Sequence, residues 1–137
     1  MLEPIAEVVA HAGHVNADER YALFDHRPAT LWLTGLSGAG KSTIAYALEA
    51  RLVHHGHACY VADGDNMRHG LNADLGFGEA DRRENLRRVS HVARAMNDAG
   101  LIVIAALVSP LEADRALARA IVGQDRFLQV HVATPLA

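Results

Sequence analysis

Gly35-Leu36-Ser37-Gly38-Ala39-Gly40-Lys41-Ser42 decides how the rest of the sequence is read. The stretch satisfies G-x-x-x-x-G-K-[ST] at every fixed position, and it stands between apolar Leu31-Trp32-Leu33 and a run in which Ile44, Leu48 and Leu52 recur at helical spacing. Strand, glycine-rich turn and helix is the context in which the motif has mechanical meaning. Glycines at 35, 38 and 40 admit backbone turns closed to other residues, so that successive N–H groups converge on an anion. The helix that follows adds the positive end of its dipole. Lys41 supplies a mobile charge for β and γ phosphates, and the Ser42 hydroxyl is a ligand for the Mg²⁺ that bridges them. Residues 35–43, Thr43 included, are therefore the predicted ATP site.

Working outward, Gly56 punctuates the first helix, and Ala58-Cys59-Tyr60-Val61-Ala62 reads as a buried strand ending at Asp63. Asp81 with Glu84 three residues later has the form of a capping box, ahead of Leu86, Val89, Ala93 and Met96 at spacings of three and four. After Gly100, residues 101–107 are apolar at every position, as a central parallel strand requires. Pro110 opens another helical stretch through Leu117 and Ile121, and residues 127–132 form a fourth strand. The βαβαβαβ pattern predicts an α/β fold: a three-layer P-loop NTPase fold with a parallel sheet and helices on both faces. The loops at the carboxyl ends of its strands, at 35–41, 63–66, 109–110 and 134–135, converge on one crevice. Residues 1–29 read as an N-terminal extension with at most one short amphipathic helix near Ile5, Val8 and Val9, and residues 30–137 as the domain.

The bulk properties narrow the function. With 137 residues there is room for one core, and 50% hydrophobic with 21% charged residues is ordinary globular composition. A formal charge of -3 gives no broad basic field, so neither nucleic acid nor anionic membrane is the expected partner. The single cysteine, Cys59, excludes an internal disulfide and fits a cytoplasmic location. Residues 1–10 lack a basic region followed by an apolar run, so no secretory signal is expected, and the run at 101–108 is too short for a membrane helix. A small-molecule partner remains. No Asn-Lys-x-Asp guanine-reading motif occurs in the sequence, which argues against a GTPase.

Beyond the second strand stands Asp63-Gly64-Asp65-Asn66-Met67-Arg68-His69-Gly70-Leu71-Asn72, then Asp74-Leu75-Gly76-Phe77, then Asp81-Arg82-Arg83-Glu84-Asn85-Leu86-Arg87-Arg88-Val89. Together with Gly-Leu-Ser-Gly-Ala-Gly-Lys-Ser-Thr these segments resemble the adenylylsulfate (APS) kinases in order and spacing, from about residue 30 to 136. The resemblance implies transfer of the ATP γ-phosphoryl group to the 3′-hydroxyl of adenosine 5′-phosphosulfate, with Mg²⁺ as cofactor. It also implies a homodimer, a role in sulfate assimilation, and association or fusion with an ATP sulfurylase.

Residue chemistry agrees with that implication. Asp65, just beyond a strand end, is suited to accept the ribose hydroxyl proton, and with Lys41 it is the expected catalytic pair. Asp63 is assigned with Ser42 to the metal, the alternative being an Asx cap of a solvated turn. Arg68 and Arg82 offer planar forks for the phosphosulfate, and Asn85 shares a helix face with Arg82. The resemblance implies that Phe77 is the stacking surface for the acceptor adenine, although by itself it would more often be a core aromatic. Arg83, Arg87, Arg88 and Arg94 read as a solvated helix surface. Ser109 matches the position that the family labels a phosphoserine intermediate; no base stands beside it in sequence, and an N-cap of the helix opened by Pro110 accounts for it equally well. His54, His55 and His57 read as a helix C-terminus interacting with its dipole rather than a metal site.

Family members continue past the Thr-Pro-Leu at 134–136 through a basic lid and a final helix, whereas this sequence stops at Ala137. Lids exclude water around a transferring group, so the expectation is nucleotide binding with weak or absent turnover unless that segment exists elsewhere. Two other readings stand beside the first: a P-loop kinase for another small acceptor, and a catalytically silent nucleotide-binding module.

Overall fold

The computed structural model describes residues 8–36 and 38–133. Four strands, β1 (Thr30–Thr34), β2 (Cys59–Asp63), β3 (Ile102–Ala106) and β4 (Phe127–His131), form one sheet in the order β2-β3-β1-β4, with every pairing parallel. The helices are α1 (Ala17–Phe24), α2 (Lys41–His54), the single turn α3 (Gly64–Met67), α4 (Glu79–Asp98) and α5 (Glu112–Val122). No helix among the described residues is long and apolar enough to cross a membrane.

The strand order explains the layering. The β1-to-β2 connection runs toward one edge of the sheet, whereas β2-to-β3 and β3-to-β4 run back the other way. Right-handed crossovers must therefore put α2 on one face and α4 and α5 on the other. The two cores agree. Trp32, Val103, Ala105 and Phe127 pack with Leu86, Val89 and Ala93 of α4 and Ala118 and Val122 of α5. Leu33, Ile104 and Val61 pack with Ala45, Leu48 and Leu52 of α2.

The expected centrality of the apolar run after Gly100 holds, because β3 lies between β2 and β1 and is buried from Val103 to Ala106. The second strand is less buried than expected, since it lies at an edge of the sheet, as does the fourth. Tyr60 of β2 and Leu128 and Val130 of β4 stay exposed. Gly56 follows the cap of α2 as expected. Ile44 is exposed and Ala45 takes the buried position on that helix.

Three local expectations are corrected. Helix α4 begins at Glu79 behind Gly78, so Asp81 sits inside its first turn and accepts from the Gly76 N–H at 2.8 Å instead of forming a capping box with Glu84. Helix α5 begins at Glu112 behind Leu111, so neither Pro110 nor Ser109 starts it. The N-terminal helix lies at 17–24, where Asn16 and Glu19 do form a capping box, and not near Val8 and Val9, which are non-helical and exposed; Ile5 lies outside the described residues.

Helix α1 docks at the end of the sheet remote from the carboxyl ends of the strands. His26 Nε2 donates to the Gly100 carbonyl at 2.8 Å, Arg20 donates to the Asp98 carbonyl at 3.2 Å, and Arg126 joins Tyr21 to Asp98. Gly100 has φ +101, and a Cβ there would meet the Phe24 ring at 2.6 Å, so both its conformation and its neighbour demand glycine. Asn97, fully buried, accepts from the Thr30 hydroxyl and donates to the Ala29 and Leu101 carbonyls, fastening the end of α4 to the starts of β1 and β3.

Candidate functional site: a phosphate loop facing an acceptor loop

The carboxyl ends of β1, β2 and β3 open into a cleft of about 700 Å³. One wall is the glycine loop. Gly35 leaves β1 with φ +141, and a Cβ there would lie 2.5 Å from the Val132 carbonyl oxygen, so the close pass of loop and chain admits no side chain. Gly40, at φ +97, caps α2 and delivers Lys41 into the first turn. The Lys41 ammonium donates to the carbonyls of Gly35 at 2.8 Å and Leu36 at 3.0 Å. It forms no salt bridge among the described residues, and burial lowers its pKa from the ordinary 10.5. A cation held only by carbonyl dipoles is poised for an anion.

Ser42 and Thr43 continue this wall. The Ser42 hydroxyl donates to Asp63 Oδ2 at 2.7 Å. Asp63 is itself buried, and its other oxygen accepts from the N–H groups of Asp65 and Asn66 at 2.9 and 3.2 Å, capping α3. The Asx-cap and metal readings of Asp63 are thus compatible: Oδ1 caps, while Oδ2 stays with Ser42. A hydroxyl and a carboxylate oxygen side by side are hard donors that fit Mg²⁺, either directly or through water.

The opposite wall comes from α3, the loop after it and the start of α4. Asp65, Arg68, Phe77, Arg82 and Asn85 all line the cleft, although up to 20 residues separate them in sequence. Phe77 is 71% exposed, which excludes the core reading, and the Arg68 guanidinium lies 4.4 Å from its ring centre. Arg68 NH1 is committed to the Leu75 and Gly76 carbonyls, leaving Nε and NH2 without a partner among the described residues. The Arg82 guanidinium has no hydrogen-bond or ion-pair partner among those residues. Asn85, buried, accepts from Asn72 Nδ2 at 2.6 Å.

Of the predicted ATP residues, Gly38, Gly40, Lys41, Ser42 and Thr43 line the cleft. Gly35, Leu36 and Ala39 belong to the same loop without lining the cleft, and Ser37, like Thr134, Pro135 and Leu136, lies outside the described residues. Ser109 is the correction. It is only 4% exposed, its hydroxyl accepts from Trp32 Nε1 at 3.1 Å, and it is not part of the cleft wall. Its place after β3 turns it to the α4–α5 face. Ala106, Leu107 and Val108 occupy the cleft wall instead; the rule that ligands gather at strand carboxyl ends was the available signal for them.

Arg88 is also misread as a solvated surface residue. It donates to Asp74 at 2.7 and 3.1 Å, to Glu84 at 2.8 Å and to Asn72 at 3.3 Å. His57, read as a helix-end residue, places Nδ1 3.0 Å from His26 Nδ1. No sequence pattern announces either meeting. Among the described residues no group of three His, Cys, Asp or Glu is arranged to hold a metal.

A parallel sheet with a glycine loop after its first strand, an ammonium and a hydroxyl at the helix start, and a cationic aromatic wall opposite define a domain of the P-loop NTPase fold. The chain belongs to the adenylylsulphate kinase family, whose model matches residues 27–137. It is 58% identical over 129 residues to the adenylyl-sulfate kinase of Shewanella amazonensis, covering 94% of this chain and 65% of the relative. It is 54% identical over 130 residues to that of Citrobacter koseri, covering 95% and 65%. The chain thus spans about 65% of the length of the curated relatives it matches. Its fold superposes with TM-score 0.75 on the Mycobacterium tuberculosis APS kinase solved in complex with AMPPNP and APS, at 53% identity, over 80% of this chain and 65% of that one.

Proposed function

We propose that this chain carries the adenylyl-sulfate kinase reaction, moving the γ-phosphoryl group of ATP to the 3′-hydroxyl of adenosine 5′-phosphosulfate. The observation that supports it best is the sharing of one cleft by the phosphate-loop group of Lys41, Ser42 and Asp63 and the acceptor group of Asp65, Arg68, Phe77, Arg82 and Asn85. The first group suits a triphosphate, the second a planar base joined to a doubly anionic ester. The Mycobacterium relative solved with AMPPNP and APS agrees with that pairing.

Phosphoryl transfer asks for positioning and charge neutralisation more than covalent help. Loop N–H groups and Lys41 hold the β and γ phosphates. Ser42 and Asp63 would hold Mg²⁺, which when bound neutralises charge on those oxygens. Arg68 and Arg82 grip the phosphosulfate, Phe77 stacks on the adenine, and Asn85 donates to an acceptor oxygen. Asp65 takes the proton of the 3′-hydroxyl as that oxygen bonds to the γ phosphorus; the bond from phosphorus to the β–γ bridging oxygen breaks, and ADP leaves with the electron pair. Ser109 carries no covalent step in this scheme.

Transfer of label from γ-labelled ATP to adenosine 5′-phosphosulfate tests the proposal, with Lys41→Ala and Asp65→Asn as controls. Label arriving in a sugar or nucleoside monophosphate in preference to adenosine 5′-phosphosulfate would overturn it. We also infer, from the family resemblance, a homodimer and association or fusion with an ATP sulfurylase, together with a cytoplasmic location, the first to be checked by light scattering.

A further inference from the structure

The Asn85 amide cannot choose its own orientation. Arg88 is tied to Asp74 and Glu84, and a guanidinium only donates. The Asn72 atom that Arg88 NH1 meets at 3.3 Å must therefore be the carbonyl oxygen. Asn72 is fully buried, its main-chain N–H held by the Met67 carbonyl at 2.8 Å, so its side chain cannot turn to water. Its Nδ2 is left to donate, and it does so to Asn85 Oδ1 at 2.6 Å. That consumes the carbonyl end of Asn85. Asn85 Nδ2 makes no hydrogen bond to a described residue and is not among buried unsatisfied atoms, so it is open to the cleft that Asn85 lines.

We propose that Asn72 and Arg88 are positioning residues that set the polarity of the acceptor side of the cleft, forcing Asn85 to present its NH₂ group and not its carbonyl to the acceptor's oxygens. The inference rests on the acceptor reading given under Proposed function. Polarity runs in one direction along the chain of contacts: carboxylates of Asp74 and Glu84, guanidinium of Arg88, amide of Asn72, amide of Asn85, ligand. A donor at the end suits an oxygen-rich, anionic acceptor; a carbonyl there would repel it. The same contacts fasten the loop that carries Phe77 to α4, because Asp74 and Asn72 precede Phe77 and Arg88 follows it.

Asn72→Asp tests the inference. An aspartate still accepts from Arg88 but cannot donate to Asn85, so the Asn85 amide must turn over and offer its carbonyl to the cleft. Calorimetry with adenosine 5′-phosphosulfate in the presence of ADP is expected to show affinity weakened roughly tenfold or more, while affinity for a non-hydrolysable ATP analogue is unchanged. In an Asn85→Ala background the same substitution should produce no further loss of acceptor affinity, a coupling that mere destabilisation would not generate. Should Asn72→Asp fail to fold, Arg88→Gln, which can donate or accept, releases the amide from the same constraint and is expected to weaken the acceptor alone. Acceptor binding unaffected by these variants, weakened equally without Asn85, or lost in parallel with ATP-analogue binding overturns the inference while leaving the kinase reading intact. A wild-type chain that binds the ATP analogue but not adenosine 5′-phosphosulfate overturns both.

Discussion

Trp32 Nε1 donates to the Ser109 hydroxyl at 3.1 Å across 77 residues of sequence, and both side chains are buried. The serine is thereby held against the sheet and away from the cleft. Ser109→Ala is expected to leave phosphoryl transfer running and to cost about 1–3 kcal/mol of stability, because the indole N–H loses its acceptor in a buried place. Denaturant titration reads the loss, and intact-mass measurement after incubation with ATP is expected to show no phosphate added to the wild-type chain.

Lys41 gives a pH signature. Burial lowers its pKa below 10.5, so the unfolded chain keeps this proton to higher pH than the folded chain does. Stability linked to Lys41 therefore rises as pH climbs through the window between the lowered value and 10.5. Phosphate affinity moves the opposite way, since only the ammonium form attracts the anion. Calorimetry with an ATP analogue should show an alkaline loss of affinity beginning below pH 10.5. Lys41→Met should abolish that limb and weaken binding at neutral pH by about 1.5–3 kcal/mol.

Phe77 leaves most of its ring to the cleft with Arg68 beside it. Phe77→Ala is expected to weaken adenosine 5′-phosphosulfate binding by about 1–3 kcal/mol, the usual worth of stacking a base on an aromatic ring. ATP-analogue affinity and melting temperature should stay near wild type, because the ring supports no core. Isothermal titration with each ligand separates the two.

Gly35→Ala places a methyl 2.5 Å from the Val132 carbonyl oxygen in a backbone conformation of φ +141. The expected cost is about 1–3 kcal/mol of stability, together with impaired nucleotide binding because the loop must shift to make room. Thermal melting with and without ATP analogue measures both; a variant stabilised by nucleotide as strongly as wild type would contradict the tight pass.

Glu84 accepts from Arg87 first and Arg88 second, which pulls its pKa from 4.5 down to about 2. A depressed carboxylate contributes stability that is complete above 4.5 and drains away as pH falls toward about 2. Urea unfolding across this acid range should show the wild type losing its margin over Glu84→Gln as the solution is acidified. A margin independent of pH would show that the pairs with Arg87 and Arg88 do not hold in solution.

How much of this was legible beforehand follows the range of the forces involved. The phosphate loop, the strand before it and the helix after it are encoded within about a dozen neighbouring positions, because glycine torsions, helix dipole and apolar spacing are local properties. Asp65, Arg68, Phe77, Arg82 and Asn85, marked as acceptor residues through the family resemblance, do line one cleft, and the alternation of strands and helices implied the crevice that gathers them. Burial was overestimated at Tyr60 because composition does not reveal which strands end the sheet. The capping box at Asp81 failed because the cap lies three residues earlier, at Gly78, and the helix starts at Glu79.

The sequence by itself determined that a glycine-rich loop would stand at the end of a parallel strand, with cationic and aromatic side chains following the second strand. Only the tertiary structure decided that Ser109 faces Trp32, that Asp81 ties down Gly76, that His57 meets His26, and that Asn72 bridges Arg88 to Asn85. Each of these is a hydrogen bond whose partner is selected by packing, and a donor has many possible acceptors along a chain until the layers close and leave it one.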